Sequence, residues 1–442
     1  MTVNKVLKFG GTSVGSAENM RQVASIISSQ RSDITVLSAM SGTTNALIEI
    51  CDALSAGGTM PQDTLSMLRR KYDECVDRLF SESDKGEARA KVDTTFALID
   101  TLSASYDSLS HNAIIAQGEL LTSAIFALFL QKSGVNAVFI DITEYMRTNA
   151  DGTVDTAFLA DNMRRITADA SPDTFFITQG FICRDHNGHL SNLGRGGSDY
   201  SAALIGAATE ASEVQIWTDI DGMHNNDPRY VEGTYPIRRM SFNEAAELAY
   251  FGAKILHPST IQPCREHNIA VKLKNTLDPT AEGTTITSTG DSEREYHAVA
   301  AKDNITVVRI CSARMLLAYG FLRRVFEIFE KYRTPIDMIT TSEVAVSLTI
   351  DDDSHVEQIV HELSLLGAAS YERGNSIICV VGRLEHERPG LVAGILDSIR
   401  SIPVKMVSYG ASCRSVAILI SSDNKIEALR KLNDHLFKTT SK

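Results

Sequence analysis

The sequence predicts an α/β protein with a mainly parallel sheet, followed by two ferredoxin-like α+β units. Three observations carry this. The chain opens on a βαβ pattern, with an apolar strand at Val6–Phe9, a glycine turn at Gly10–Gly15, helical periodicity over Ala17–Gln30 and a second apolar strand at Thr35–Ser38. The same alternation of strand and helix continues as far as Phe251. Beyond Thr284, two blocks of order βαββα follow one another, which is the ferredoxin-like order.

Taken in order, Ile114–Lys132 reads as a helix, Ala137–Asp141 as a strand, Phe158–Asp169 as a helix and Thr174–Gln179 as a strand. Ser198–Thr209 is helical, Glu213–Thr218 a strand and Phe242–Phe251 helical. Residues 60–110 are helical and charge-rich, a helical insertion in a domain running over 1–290. Thr284–Arg294 is polar and turn-prone and reads as a linker. The first block, 304–375, has strands at Asn304–Arg309, Ile336–Thr341, Val344–Ile350 and Ser370–Arg373, and helices at Phe321–Lys331 and Val356–Leu366. The second, 376–442, has strands at Ser376–Val381, Val404–Tyr409 and Ser415–Ile420, with helices at Pro389–Arg400 and Lys425–Phe437. It runs out of chain before its last strand, and His297–Ala301, just upstream of the first block, is the segment that would complete its sheet.

With 442 residues the chain exceeds one compact core, so two or three domains are expected. A net charge of −12 argues against nucleic acid as a partner. The cysteines, seven and scattered, form no CxxC pair, which disfavours a disulfide framework or zinc site and fits the reducing cytoplasm. The N-terminus has no apolar signal core, and no uninterrupted apolar stretch reaches membrane-spanning length, so neither secretion nor a membrane is expected.

Three loops carry chemistry. KFGGTSVG, Lys8–Gly15, joins a strand to a helix. Its glycines let backbone approach a phosphate, the helix N-terminus adds N–H donors, and Lys8 adds a charge; a plain tight turn is the alternative. GTSVG also fits a hydrolase nucleophile elbow, but an elbow closing the first strand of a chain is out of place. LGRGGSDYSA, Leu193–Ala202, holds Arg195, suited to a carboxylate, and the Gly196, Gly197 and Ser198 amides, suited to anionic oxygens. Asp199 would position a lysine or collect magnesium. WTDIDGMHNNDPR, Trp217–Arg229, puts Thr218 and Asp219 at a strand's carboxyl end, where open α/β sheets bind ligands. Asp227–Pro228 reads as a turn and Arg229 as a surface charge or a ligand contact. Lys254 follows a helix in FGAKILHP; His257 has no second ligand at metal spacing, and no protein metal site is expected. Glu119, at the start of an apolar helix, would cap it or bind an ammonium. No Walker A loop, GxGxxG, HExxH or protein-kinase signature is present.

These motifs, with SGTTN (Ser41–Asn45), QGE (Gln117–Glu119) and MRTN (Met146–Asn149), together resemble the aspartate kinases, in the same order and over nearly the whole chain. The tail resembles paired ACT regulatory domains of the lysine-sensitive type, through GFL (Gly320–Leu322) and DMITTSE (Asp337–Glu343). The resemblance implies an amino-acid-kinase open αβα sandwich that transfers phosphate from ATP, with Mg²⁺, to aspartate. Lys8 and Lys254 would hold ATP phosphates near Phe9, Gly10 and Gly11, and Asp199 would organise that region. Thr218, Asp219, His224 and Arg229 would line the nucleotide site. Ser41, Thr44, Glu119, Arg195, Gly196, Gly197 and Ser198 would hold aspartate, Glu119 on its ammonium and Arg195 on its α-carboxylate. Met315, Ala318, Phe321, Leu322, Pro335, Ile336, Asp337, Ser342 and Glu343 would hold the effector, lysine or alternatively threonine. The chain departs from the family pattern at His224, where tyrosine is usual, and at Ala318 and Pro335, where serines are. A homodimer, or a tetramer built from it, is expected. The competing readings are a glutamate-type kinase and a catalytically silent amino-acid sensor.

Overall fold

In the computed structural model the described residues are 2–252, 256–290, 294–315 and 319–438. Up to residue 218 the elements are β1 (Lys5–Phe9), α1 (Ala17–Gln30), β2 (Ile34–Leu37), α2 (Thr43–Ser55), α3 (Gln62–Leu79), α4 (Lys85–Ala104), α5 (Ser108–Lys132), β3 (Ala137–Phe139), α6 (Thr156–Ala168), β4 (Phe175–Gln179), β5 (Ile182–Arg184), β6 (Leu190–Asn192), α7 (Gly197–Ala208) and β7 (Glu213–Thr218). There follow β8 (Arg239–Ser241), α8 (Phe242–Tyr250), α9 (Gln262–Glu266), β9 (Ala270–Asn275), β10 (Thr284–Thr287), β11 (Tyr296–Cys311), α10 (Phe321–Lys331), β12 (Ile339–Thr341), β13 (Ala345–Ile350), α11 (Val356–Leu363), β14 (Ala368–Gly382), α12 (Leu391–Ser398), β15 (Met406–Ser408), β16 (Ser415–Ser421) and α13 (Lys425–Leu436).

The chain divides into two compact units. One holds residues 1–223, 238–240 and 256–288; the other holds 224–237, 241–255 and 289–442. The first contains an eight-stranded sheet in the order β3-β4-β2-β1-β7-β9-β10-β8. The run from β3 to β9 is parallel. Strands buried on both faces need apolar side chains throughout rather than in alternation, and β1 and β2 read that way, VLKF and ITVL. Because these strands are parallel, Phe9, Leu37, Gln179 and Thr218 all end at one edge of the sheet, the edge where such folds bind ligands.

The helical insertion is part of this core. Leu65, Leu68, Tyr72, Cys75, Val76 and Leu79 recur at three- and four-residue steps along α3 and are all buried. Helix α5 starts at Ser108, capped by the Asp107 carboxylate, which accepts from the Leu109 and Ser110 N–H groups. It is 25 residues long and apolar enough, by length and composition, to cross a bilayer. Most of it lies buried inside its own unit, against α2, α4, β3 and β4. The sequence predicts a start at Ile114 with Glu119 near it; the Asp107 cap moves the start back and leaves Glu119 mid-helix.

The second unit is built on a six-stranded antiparallel sheet, β12-β13-β11-β14-β16-β15. Its centre is a ribbon of two long strands. The later half of β11 pairs with β13, and the earlier half, Tyr296–Lys302, lies against Ile377–Gly382 of β14. Each long strand therefore serves both ferredoxin-like halves. Helices α10 and α11 cover one half through Phe321, Val325, Phe329 and Ile359, and α12 and α13 cover the other through Leu391, Ile395, Leu429 and Leu432.

Two expectations are corrected here. Asn304–Arg309 and His297–Ala301 are one strand, and so are Ser370–Arg373 and Ser376–Val381. The gaps read between Ala301 and Asn304 and between Arg373 and Ser376 are an irregularity in a continuous ribbon. Asn304 and Gly374 take left-handed backbone there, φ 60° and 77°, which Asn and Gly tolerate best. The supposed linker begins with a strand, because Thr284–Ile286 pairs with β9.

Candidate active site

At the carboxyl edge of the first unit's sheet lies a cleft of about 370 Å³. It is lined by Lys8 and Gly11 from β1 and the loop after it, residues 38–42 from the β2–α2 connection with Thr44 and Asn45 from the first turn of α2, Glu119 from α5, Phe181, and Gly194–Asp199 from the loop into α7. Ten of the sequence-predicted site residues thus meet there: Lys8, Gly11, Ser41, Thr44, Glu119, Arg195, Gly196, Gly197, Ser198 and Asp199.

Local chemistry explains the convergence. Gly11 sits where a Cβ would come within 2.8 Å of the Ala39 carbonyl, so only glycine lets the first two loops touch. There Ser41 N–H donates to the Gly11 carbonyl at 3.0 Å. Helices α2 and α7 both begin at the cleft, behind left-handed glycines Gly42 and Gly196, so their first-turn N–H groups face an anion site. Lys8 is largely buried on β1, and its ammonium is 2.7 Å from Asp199 Oδ1 in the first turn of α7. Arg195 is exposed and, among the described residues, makes no ion pair. The Ser38 hydroxyl donates to Ser198 Oγ at 3.0 Å, joining the ends of β2 and α7's first turn.

Glu119 is the deepest charged group, with 3% of its surface exposed. Burial pushes its carboxyl up to about 7, against a smaller opposing pull from the Ala39 N–H. Oε1 accepts from that N–H at 3.3 Å, while Oε2 is buried without a hydrogen-bond partner among the described residues. A buried carboxylate oxygen lacking a donor is a ready place for an ammonium.

The remaining residues fall elsewhere. The Phe9 ring stacks on Trp217 in the core at 5.8 Å, so only its backbone can serve a ligand. Gly10 N–H donates to the Trp217 carbonyl, which puts Thr218, the last residue of β7, and Asp219 just after it beside the loop that follows β1. His224, bonded to Thr234 Oγ1 at 3.2 Å, and Arg229, exposed and paired with Asp227 at 2.6 Å, belong to the second unit. Lys254 and Ala318 lie outside the described residues. In the second unit Met315 is half-buried in a short 3₁₀ turn, Phe321 is buried and Leu322 exposed at the start of α10, and Pro335, Ile336 and Asp337 precede β12. Ser342 and Glu343 occupy the exposed turn between β12 and β13. Sequence reasoning passed over Ser38, Phe181 and Asn45 as cleft residues. Phe181 left one signal, a bulky residue directly after Gln179–Gly180 at a strand end, and its φ of 70° marks strained backbone.

Among the described residues no group of three His, Cys, Asp or Glu side chains is placed to hold a metal.

A family model described as amino acid kinase family matches residues 5–275, and one described as ACT domain matches 378–436. The chain is 32% identical over 446 residues to the lysine-sensitive aspartokinase 3 of Escherichia coli, covering 98% of this chain and 99% of that one. It is 33% identical over 461 residues to the chloroplastic aspartokinase 3 of Arabidopsis thaliana, covering 98% and 82%. The crystal structure of E. coli aspartokinase III with aspartate and ADP matches with a TM-score of 0.83 at 31% identity, covering 98% and 100%. That enzyme with lysine and aspartate matches at 0.81 and 32%, covering 98% and 99%. The chain belongs to the aspartokinase family. Its reaction is the phosphorylation of the aspartate side-chain carboxylate, an amino-acid biosynthetic step under allosteric control through the ACT region.

Proposed function

We propose that aspartate lies in the cleft with its ammonium on Glu119, its α-carboxylate on Arg195 and the amides of Gly196–Ser198, and Thr44 beside it. MgATP brings its γ-phosphate to Lys8, Gly10 and Gly11, with Thr218 and Asp219 toward the nucleoside. What supports this is that a buried carboxylate with an oxygen unpartnered among the described residues, a guanidinium without an ion pair among them and a buried lysine line one cleft.

The chemistry asks for little else. The side-chain carboxylate of aspartate is ionised at neutral pH, so no general base is needed. Its oxygen attacks the γ-phosphorus, the bond to the bridging oxygen breaks, and ADP leaves with the electron pair. The difficulty is bringing two anions together, so the protein's work is charge neutralisation and in-line positioning. Lys8 supplies charge at the transferring group, and Asp199 fixes where that ammonium sits. Magnesium, bound to the phosphates, supplies further neutralisation.

Lysine is the proposed effector, acting through the first ACT half. Supporting it are the carboxylates of Asp337 and Glu343 and the name of the E. coli relative. The active form is proposed to be a cytoplasmic homodimer paired through ACT sheets. Leu322, Phe326, Ile339 and Val344 are exposed apolar residues in that half, and all seven cysteines are free thiols. The test is ATP consumption with the acyl phosphate trapped by hydroxylamine, run with aspartate and with glutamate, then titrated with lysine and threonine. Hydroxamate from aspartate, suppressed by lysine, is expected. A folded protein that yields none rejects the cleft assignment, and suppression by threonine alone rejects the effector.

A further inference from the structure

The cleft has a support that its lining residues do not reveal. Helix α3 of the insertion delivers two consecutive side chains to the back of the turn at residues 40–45. The half-buried Lys71 donates from its ammonium to the Ser41 carbonyl, which is its one hydrogen bond among the described residues, and no carboxylate pairs with it there. Ser41 N–H is in turn bound to Gly11. Beside it Tyr72 is fully buried, with its hydroxyl 3.3 Å from Thr43 Oγ1 and 2.9 Å from Thr122 Oγ1.

The proton order in this network follows from its donors. Thr122 O–H donates to the Gly118 carbonyl at 2.8 Å, and its oxygen accepts the Met40 N–H at 3.1 Å. With Thr122 donating to Gly118, the Tyr72 hydroxyl can donate to Thr122, with the Gly118 carbonyl at 3.4 Å as a second acceptor, and Thr43 can donate to Tyr72. Burial pushes the phenol up to about 12, so this proton stays in place at any working pH. The approach is close: a Cβ on Gly118 would come within 2.9 Å of Thr43 Cγ2 and 3.0 Å of Ala39 Cβ. One hydroxyl therefore joins the turn that ends in Thr44 to the turn of α5 that carries Glu119.

We propose that Lys71 and Tyr72 are positioning residues for aspartate: Tyr72 sets the spacing between Thr44 and Glu119, and Lys71 pins the Ser41 turn against the first glycine loop. This rests on the assignment of aspartate to the cleft. Neither side chain lines the cavity, so their effect passes through the turn and the helix.

The test compares Tyr72→Phe, Lys71→Met, Lys71→Arg and Arg195→Ala in the full chain, by steady-state kinetics in both substrates and by thermal melting. Tyr72→Phe and Lys71→Met are expected to raise KM for aspartate about tenfold and about threefold, with KM for ATP within twofold and the chain folded. Lys71→Arg should restore the parent value, which a loss of bulk packing would not explain. A folded Tyr72→Phe and Lys71→Met with parental KM for aspartate, while Arg195→Ala raises it, overturn the positioning role alone. An unmoved KM in Arg195→Ala removes the cleft assignment and this proposal with it. Equal shifts in both substrates also overturn it, since they mean a general loosening of the unit.

Discussion

Asp337 Oδ1 lies 2.6 Å from the ammonium of Lys302, and Tyr250 on α8 donates to the same oxygen at 2.7 Å. The Asp337 side chain is only 1% exposed, and Lys302 also reaches Asp351 at 3.0 Å. Asp337, expected from sequence as an effector carboxylate, is thus already neutralised from within its own unit. Its other oxygen, Oδ2, is buried without a partner among the described residues, and that is the position left for an incoming amine. Lys302→Met strands this buried charge and is expected to destabilise the ACT unit by about 3 kcal/mol, measured by denaturant unfolding. Asp337→Asn in the same chain should recover part of the loss. If the two substitutions add without interaction, the pair contributes nothing.

Glu343 offers the simpler test of feedback, since it is exposed in the β12–β13 turn and holds no core contact. Glu343→Ala is expected to raise the lysine concentration for half-inhibition at least tenfold, about 1.4 kcal/mol of binding. Inhibition curves that superpose on the parent's exclude Glu343 from the effector site.

Lys8→Ala is expected to lower kcat by about a hundredfold or more, the scale of losing one preorganised charge at the transferring group. It also leaves Asp199 without its ion pair at the cleft. Near-parental turnover in a folded variant rules out Lys8 as the neutralising charge.

Glu119 makes the pH dependence of aspartate binding specific. Burial raises its carboxyl to about 7, so the group is neutral below that pH and has no attraction for an ammonium. KM for aspartate should therefore climb as pH falls through about 7, and Glu119→Gln should flatten that limb. The stability sign is fixed by the same shift. A carboxyl raised on folding stabilises below its unfolded value, and that contribution is lost as pH rises through about 7. Glu119→Gln should remove a loss on the order of 3 kcal/mol between pH 5 and 8 in the ligand-free protein. A parent whose unfolding free energy is flat over that range, and an unaltered KM profile in Glu119→Gln, both count against a raised Glu119.

How much of this was legible in the sequence depends on the range over which each feature is decided. The apolar runs of β1 and β2, the glycine-rich turns behind β1 and before α7, and the two βαββα blocks could be read directly, because backbone sterics and burial on both sheet faces act within a few residues. They fixed the fold class and the loops that would meet at one sheet edge. Glu119 reads as an early-helix residue because its apolar surroundings hide the cap at Asp107, twelve positions upstream. The polar residues around Asn304 and Gly374 interrupt the apolar pattern, and only the pairing of β11 with β14 makes them one irregularity in a shared ribbon.

What the sequence by itself determined, then, is the chemistry available: lysine beside glycine, arginine before a helix, acid on an apolar helix, and a regulatory tail. What only the tertiary structure decided is who neutralises whom. Lys8 meets Asp199, Lys302 occupies Asp337, and Tyr72 links Thr43 to Thr122. Side-chain type and local periodicity are written residue by residue. An ion pair or a buried hydrogen bond between distant segments exists only once packing has brought two surfaces together and removed the water between them.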